Sequence, residues 1–220
     1  TDRLGGGSTG RYAGLNLADH VEDDPAAVAA NRALLRGELG DVVLAPMRQV
    51  HGREVAFVTG TETAPPTADA LVTDRTGVAL LTMVADCTPV LFHDEAAGLV
   101  GAAHAGRPGL AAGVVPATVT ALRDLGARDL RAVVGPSVCG RCYEVPEPMR
   151  AEVAHVAPAA YAMTWTGTPA LDVAAGVVEQ LAELGVPTRW VAGCSREAQD
   201  LYSYRRDGVT GRYAGVVVRR

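Results

Sequence analysis

Two apolar runs in the middle of the chain set its architecture. Val78–Val84 is apolar at every position except Thr82, and Gly98–Ala103 carries no polar side chain. Runs of this length without polar alternation read as strands buried on both faces. Shorter stretches at 41–45, 54–59, 70–73, 90–93, 130–134, 189–192 and 215–218 read as further strands. Helical spacing takes over from Pro25 to Leu39, where Val28, Leu34, Leu35 and Leu39 recur, Pro25 suits a first turn and Asp23 or Asp24 supplies the cap. A second helix is predicted over 109–125, with Pro116 marking a kink or a late start. Helices over 149–156 and 173–184 complete the pattern. The first seventeen residues, rich in Gly, Ser and Thr, predict irregular structure or an edge strand. Strands and helices alternate irregularly, with consecutive strands in the centre, which favours an α/β fold with a mixed sheet over a doubly wound parallel one. No stretch of the 220 residues resembles a linker, so one domain over 1–220 is expected.

Charge narrows the partners. The net charge is −5 and all 20 basic residues are arginine, leaving no basic excess to hold a nucleic-acid backbone by counterion release. No apolar run approaches the roughly 18 residues of a membrane span, and the first residues lack a basic segment followed by a hydrophobic one. A cytoplasmic protein without nucleic-acid or membrane partners is therefore expected. The cysteines at 87, 139, 142 and 194 are too few and too irregularly spaced for a disulfide framework, which predicts reduced thiols. Cys139-Gly140-Arg141-Cys142 has the C-x-x-C form, but with no second C-x-x-C in the chain it is weak support for structural zinc.

Candidate chemistry sits where the two apolar runs end. The first leads into Asp86-Cys87-Thr88-Pro89, and the proline keeps the local chain extended. The second ends in His104, followed by a loop whose glycines allow close backbone approach to a ligand. Taken alone, Cys87 reads as a small buried hydrophobe and His104 as a hydrogen-bonded structural residue. Together with His51 they form a donor set that suits zinc, and three protein ligands leave a fourth position open for water or substrate. The same residues also allow Cys87 to act as a nucleophile activated by His104, giving a metal-free hydrolase or deamidase. Asp86 is a candidate to orient a ligand through a hydrogen bond, or to cap a turn. His93 and His155 read as structural, and His20 as a loop histidine able to line a pocket. Arg205, Arg206 and Arg212 cluster around a glycine turn, either as an anion-binding fork or as a solvated turn with internal Arg–Asp pairing.

The motifs resemble, in order and over nearly the whole chain, the YfiH-type, laccase-domain purine nucleoside phosphorylases, once described as multicopper polyphenol oxidases. The resemblance rests on Asn16-Leu17 with His20-Val21 and Asp23-Asp24, Asn31-Arg32, Gln49-Val50-His51-Gly52, Ala68-Asp69-Ala70, Ala85 to Leu91, His104-Ala105-Gly106, Gly135-Pro136, Cys142 to Val145, Ser203 to Gly208 and Thr210 to Arg212. It implies a four-layer α/β/β/α sandwich, related to the catalytic domains of cytotoxic necrotizing factors, with zinc held by His51, Cys87 and His104. It also implies phosphorolysis of adenosine, inosine and methylthioadenosine, with adenosine deamination as a further activity. Cys87, His104 and Asp86 are then the expected catalytic residues, Arg32 and Arg48 the leading anion-binding candidates, and copper the alternative metal, with phenol oxidation as its activity, although five histidines are few for a multicopper centre. A non-catalytic partner protein with the same fold is a further alternative. The chain departs from the family pattern at Arg107-Pro108, where Trp and a basic residue are usual, and at Cys139-Gly140-Arg141, where Gly-Pro-Cys is usual.

Overall fold

The apolar runs become the inner strands of two sheets that face one another. A computed structural model describes residues 1–220. In chain order the elements are α1 (Pro25–Leu39), β1 (Val43–Ala45), β2 (Val55–Phe57), β3 (Ala70–Thr73), β4 (Val78–Val84), β5 (Thr88–Asp94), β6 (Leu99–Ala105), α2 (Arg107–Ala112) and α3 (Val114–Asp124). They continue with β7 (Arg131–Val134), α4 (Glu147–Val156), β8 (Tyr161–Met163), β9 (Pro169–Leu171), α5 (Val173–Glu183), β10 (Thr188–Trp190), α6 (Tyr204–Asp207) and β11 (Tyr213–Val218). One sheet has the order β1-β4-β11 and the other β10-β7-β5-β6-β3-β2, both with parallel and antiparallel pairs.

Three apolar clusters define four layers. Leu71, Val100 and Ala102 of the larger sheet pack against Ala45, Val78 and Leu80 of the smaller one. The outer face of the larger sheet, through Val90, Phe92 and Ala103, packs on α2 to α5 through Leu110, Val119, Val153 and Val177. The outer face of the smaller sheet, through Ala79, Leu81 and Met83, packs against Leu35 of α1 and the segment Leu17–Val21. The result is the expected α/β/β/α sandwich with mixed sheets. Every residue of β4 and β6 is buried, as strands covered on both faces must be. No helix is long and apolar enough to cross a membrane.

The helix expected over 109–125 is two helices. It divides at Gly113, which has φ 85°, and Pro116 falls in the first turn of α3, where its missing N–H costs no helical bond. The hairpin β8–β9 was not anticipated. The first seventeen residues are irregular apart from one 3-10 turn, Gly10–Tyr12, and a bridge between Ser8 and Gly14, and the fully buried Asn31 of α1 fastens them. Its side chain accepts from Gly7 N (2.8 Å) and donates to Ser8 Oγ (2.9 Å) and Asn16 O (2.9 Å).

Candidate metal centre

One buried carboxylate organises the site. Asp69, immediately before β3, is fully buried and accepts hydrogen bonds from three successive backbone N–H groups, those of Val50 (3.2 Å), His51 (2.9 Å) and Gly52 (2.7 Å). The N–H groups converge because His51 is left-handed, with φ 60°, a conformation uncommon for a residue with a side chain. Asp69 Oδ1 also lies 2.9 Å from His104 Nδ1. Burial alone would raise the Asp69 carboxyl pKa, but the bonds from His104, Gly52 and Val50 outweigh it and hold the group below its ordinary range. A single side chain thus shapes the loop that carries His51 and orients the ring of His104.

With Nδ1 engaged by Asp69, His104 has Nε2 left to ligate. It is the penultimate residue of β6, opposite Pro89 of β5, and is almost fully buried. Cys87, just before β5, places Sγ 3.7 Å from His51 Nε2. The two imidazoles meet edge-on, with centroids 4.8 Å apart. One donor atom from each of the three residues lies within 4.8 Å of the others. Ligands at about 2.3 Å for sulfur and about 2.0 Å for nitrogen, at a tetrahedral angle, stand roughly 3.5 Å apart, so this spacing fits a single zinc-sized ion. Gly106 makes the approach possible: a Cβ there would lie 2.6 Å from His51 Cδ2 and 3.1 Å from Cys87 Sγ.

The electrostatics of the trio are coupled. Burial opposes charge on Cys87, yet His104 and His51 outweigh it and draw the thiol down to about 6. Burial likewise opposes charge on His104, but Cys87 and Asp69 raise its pKa to about 9. Without metal the pair is held as thiolate and imidazolium. A thiolate at neutral pH is also the form that ligates a metal.

The three donors line a cavity of about 500 Å³, together with Gln49, Met83, Val138, Tyr143, Val173, His20, Arg107, Arg205 and Arg212. A larger cleft of about 730 Å³, lined by Cys142, Trp165 and Arg196, contains none of the trio. Gln49 pins its loop to β4, its amide donating to Met83 O (2.8 Å) and accepting from Met83 N (2.9 Å).

Three candidate residues stand apart from the trio. Asp86 lines the cavity but bonds to none of the three donors: it accepts from Ser195 Oγ (2.6 Å) and Arg205 N (2.6 Å) and is left-handed at φ 97°. It braces the turn before Cys87, and the orienting bond comes from Asp69 instead. Arg32 is not at this site: Nε donates to Leu17 O (2.8 Å), Nη2 pairs with Asp19 (3.2 Å), and the residue lines a separate cavity beside Glu62. Arg48 is exposed and absent from the cavity lining, because the extended chain that sends Gln49 inward sends its neighbour outward. The cations present are Arg107, Arg205 and Arg212. Arg206 is structural, donating to Ala198 O and Leu201 O (both 2.8 Å) and pairing with Asp207. His20 lines the cavity, while His93 and His155 do not. Asp69 had no role assigned from sequence. Its signals are an acid flanked by alanines at the start of a buried strand and the place of Ala68-Asp69-Ala70 among the motifs of the resemblance.

The family model described as multi-copper polyphenol oxidoreductase laccase matches residues 1–220. A purine nucleoside phosphorylase of Streptomyces coelicolor is 55% identical over 99% of this chain and 93% of its own length. The purine nucleoside phosphorylase YfiH of Escherichia coli is 37% identical over 98% of this chain and 90% of its own. Among solved structures, YlmD from Geobacillus stearothermophilus superposes with a TM-score of 0.91 at 32% identity, covering 100% of this chain and 90% of that one.

Proposed function

The chain belongs to the multi-copper polyphenol oxidoreductase laccase family, relatives in which are named purine nucleoside phosphorylases, and we propose that it is itself a zinc-dependent purine nucleoside phosphorylase. The observation that carries this reading is the placement of the His51–Cys87–His104 trio in one cavity with three arginines and apolar side chains. In phosphorolysis a phosphate oxygen forms a bond to the ribose anomeric carbon while the carbon–nitrogen bond to the purine breaks, and the departing base takes up a proton. Arg107, Arg205 and Arg212 are suited to hold the phosphate, since guanidinium forks match its oxygens. Met83, Val138, Tyr143 and Val173 offer apolar and aromatic surface for the base. Zinc, when bound by the trio, supplies Lewis acidity at this point of the cavity. Asp69 keeps His104 in the tautomer that presents Nε2.

The substrates under this reading are adenosine, inosine and methylthioadenosine, and deamination of adenosine by water is a second activity of the same cavity. The four free thiols suit a cytoplasmic enzyme, and one catalytic domain spans 1–220. Imidazole and thiolate donors favour zinc, although copper shares them. The test is nucleoside turnover by metal-loaded protein with and without phosphate. Release of free base and ribose 1-phosphate only when phosphate is present supports the reading, and a Cys87→Ala protein retaining metal and full activity overturns it. The depressed Cys87 thiol favours one second reading, a metal-free Cys–His hydrolase. Activity that survives complete chelation would select that alternative.

A further inference from the structure

A second cluster of donors lies outside this cavity, built from two turns of matching backbone. In Cys139-Gly140-Arg141-Cys142 the N–H groups of Cys142 and Tyr143 donate to Cys139 O (2.9 and 3.0 Å). In Cys194-Ser195-Arg196-Glu197 the N–H groups of Glu197 and Ala198 donate to Cys194 O (3.1 and 2.8 Å). The first turn follows β7 and the second follows β10, neighbouring parallel strands of the larger sheet. A parallel bridge between Ser137 and Cys194 extends their pairing, with Ser195 N donating to Ser137 O at 3.0 Å. The turns therefore face each other. Cys142 Sγ lies 3.3 Å from Glu197 Oε1, Cys139 N donates to Cys194 Sγ (3.5 Å), and the four ligand atoms are all within 4.8 Å of one another. The partner that the isolated C-x-x-C lacked in the sequence is a C-x-x-E 55 residues later.

We propose that Cys139, Cys142, Cys194 and Glu197 form a second metal site, a structural zinc centre independent of His51, Cys87 and His104. Three sulfurs and one carboxylate supply four donors of the types zinc takes, and paired turns with two intervening residues are the usual way small zinc sites present them. Four protein donors leave no open position, which makes the site structural. Zinc displaces the three thiol protons to solvent on binding. The resulting centre carries two negative charges, and each turn has an arginine, Arg141 and Arg196, immediately before its last donor. The site braces the first cavity from behind. Val138 and Tyr143, which flank the C-x-x-C, line that cavity, and Ser195 bonds Asp86 beside Cys87.

The test is metal content of the full-length reduced protein after zinc loading and gel filtration. Two zinc ions per chain are expected, falling to one in His51→Ala/Cys87→Ala and to one in Cys139→Ser/Cys194→Ser. Cobalt loaded into the His51→Ala/Cys87→Ala protein should show intense thiolate charge-transfer absorption, and Glu197→Gln, a conservative change of an exposed residue, should speed metal release without unfolding the chain. A readout needing no variant is alkylation of Cys139 and Cys194 followed by peptide mass analysis, with zinc expected to protect both. The proposal is overturned if His51→Ala/Cys87→Ala binds no zinc, if the two thiols alkylate equally fast with and without zinc, or if Cys139 and Cys194 form a disulfide that yields no metal-binding protein on reduction. None of these readouts uses nucleoside turnover, so the first site's function and this site's existence fail separately.

Discussion

At Cys87 a single side chain is balanced between burial and two imidazoles. The positive charge on His104 wins, so in metal-free protein the thiolate persists down to a pKa of about 6. Alkylation of Cys87 by iodoacetamide in the metal-free protein should therefore rise with pH to half its plateau near pH 6, well below the ordinary cysteine range of about 8.5. His104→Gln removes the charge and should move that midpoint upward, and an unchanged midpoint would discount the ion pair. Asp69 acts one step further out. Asp69→Asn removes the charge-assisted bond to His104 Nδ1 and weakens the N–H cradle that bends the His51 loop, so zinc affinity measured by competition with a chelator should fall roughly 10- to 100-fold. The three donors were legible in the sequence because each ends an apolar run or separates two, and rigid strands deliver such positions to a common edge. Asp69 was not, because its role exists only once a loop eighteen residues earlier has folded around it. Arg48 is turned outward because neighbours in an extended chain point to opposite sides, and Arg32, on helix α1, is drawn away by Leu17 O and Asp19.

The elements that carry the site are held by backbone-to-carboxylate bonds as much as by apolar packing. Asp94, at the end of β5, is buried and accepts from Ala97 N (2.9 Å), Arg128 N (2.6 Å) and Asp129 N (2.7 Å), tying the β5–β6 turn to the chain entering β7. The bond from Ala97 contributes most to holding its carboxyl pKa below the ordinary value, with burial opposing and the bonds from Arg128 and Asp129 adding to the shift. A lowered folded-state pKa means stabilisation that is complete above the unfolded value and is lost as pH falls through the folded one. Asp94→Asn should thus cost about 1–3 kcal/mol in urea unfolding at pH 7, with the deficit narrowing below about pH 4. Gly106, the cap of α2, gives a second test of this scale. Its φ of −76° admits any residue, so Gly106→Ala should fold yet hold zinc more weakly, because the new Cβ meets His51 Cδ2 at 2.6 Å. The strands of both sheets were readable from continuous apolar runs. The break at Gly113 was only half readable, since Pro116 marks a helix boundary without saying which side of it the chain turns, and the three-residue strands of the β8–β9 hairpin are too short for any period to show.

Across the whole molecule, the cavity lies where the two sheets and the C-terminal segment meet. Met83 and Val84 come from the smaller sheet, His104 from the larger, and Arg205 and Arg212 from α6 and the approach to β11, which pairs antiparallel with β4. Arg212 is the better placed cation for a bound anion. Its Nη1 is fixed by Thr210 O (2.7 Å) and Gly211 O (2.9 Å), leaving its other donors for a ligand, and burial lowers its pKa against the opposing pull of Cys87 and Asp86. Arg205 is exposed, with its guanidinium 4.9 Å from the centre of the Tyr143 ring, and so is more weakly held. If phosphate is the second substrate, a charged hydrogen bond worth about 1.5–3 kcal/mol sets the scale of the loss, so Arg212→Ala should raise the KM for phosphate roughly 10- to 100-fold. The KM for nucleoside should move little, and Arg205→Ala should produce a smaller rise that fades with added salt, as expected for an exposed charge. Steady-state kinetics with phosphate varied at saturating nucleoside separates these outcomes. An Arg212→Ala enzyme with an unchanged KM for phosphate would move the anion to Arg107 and away from the C-terminal segment.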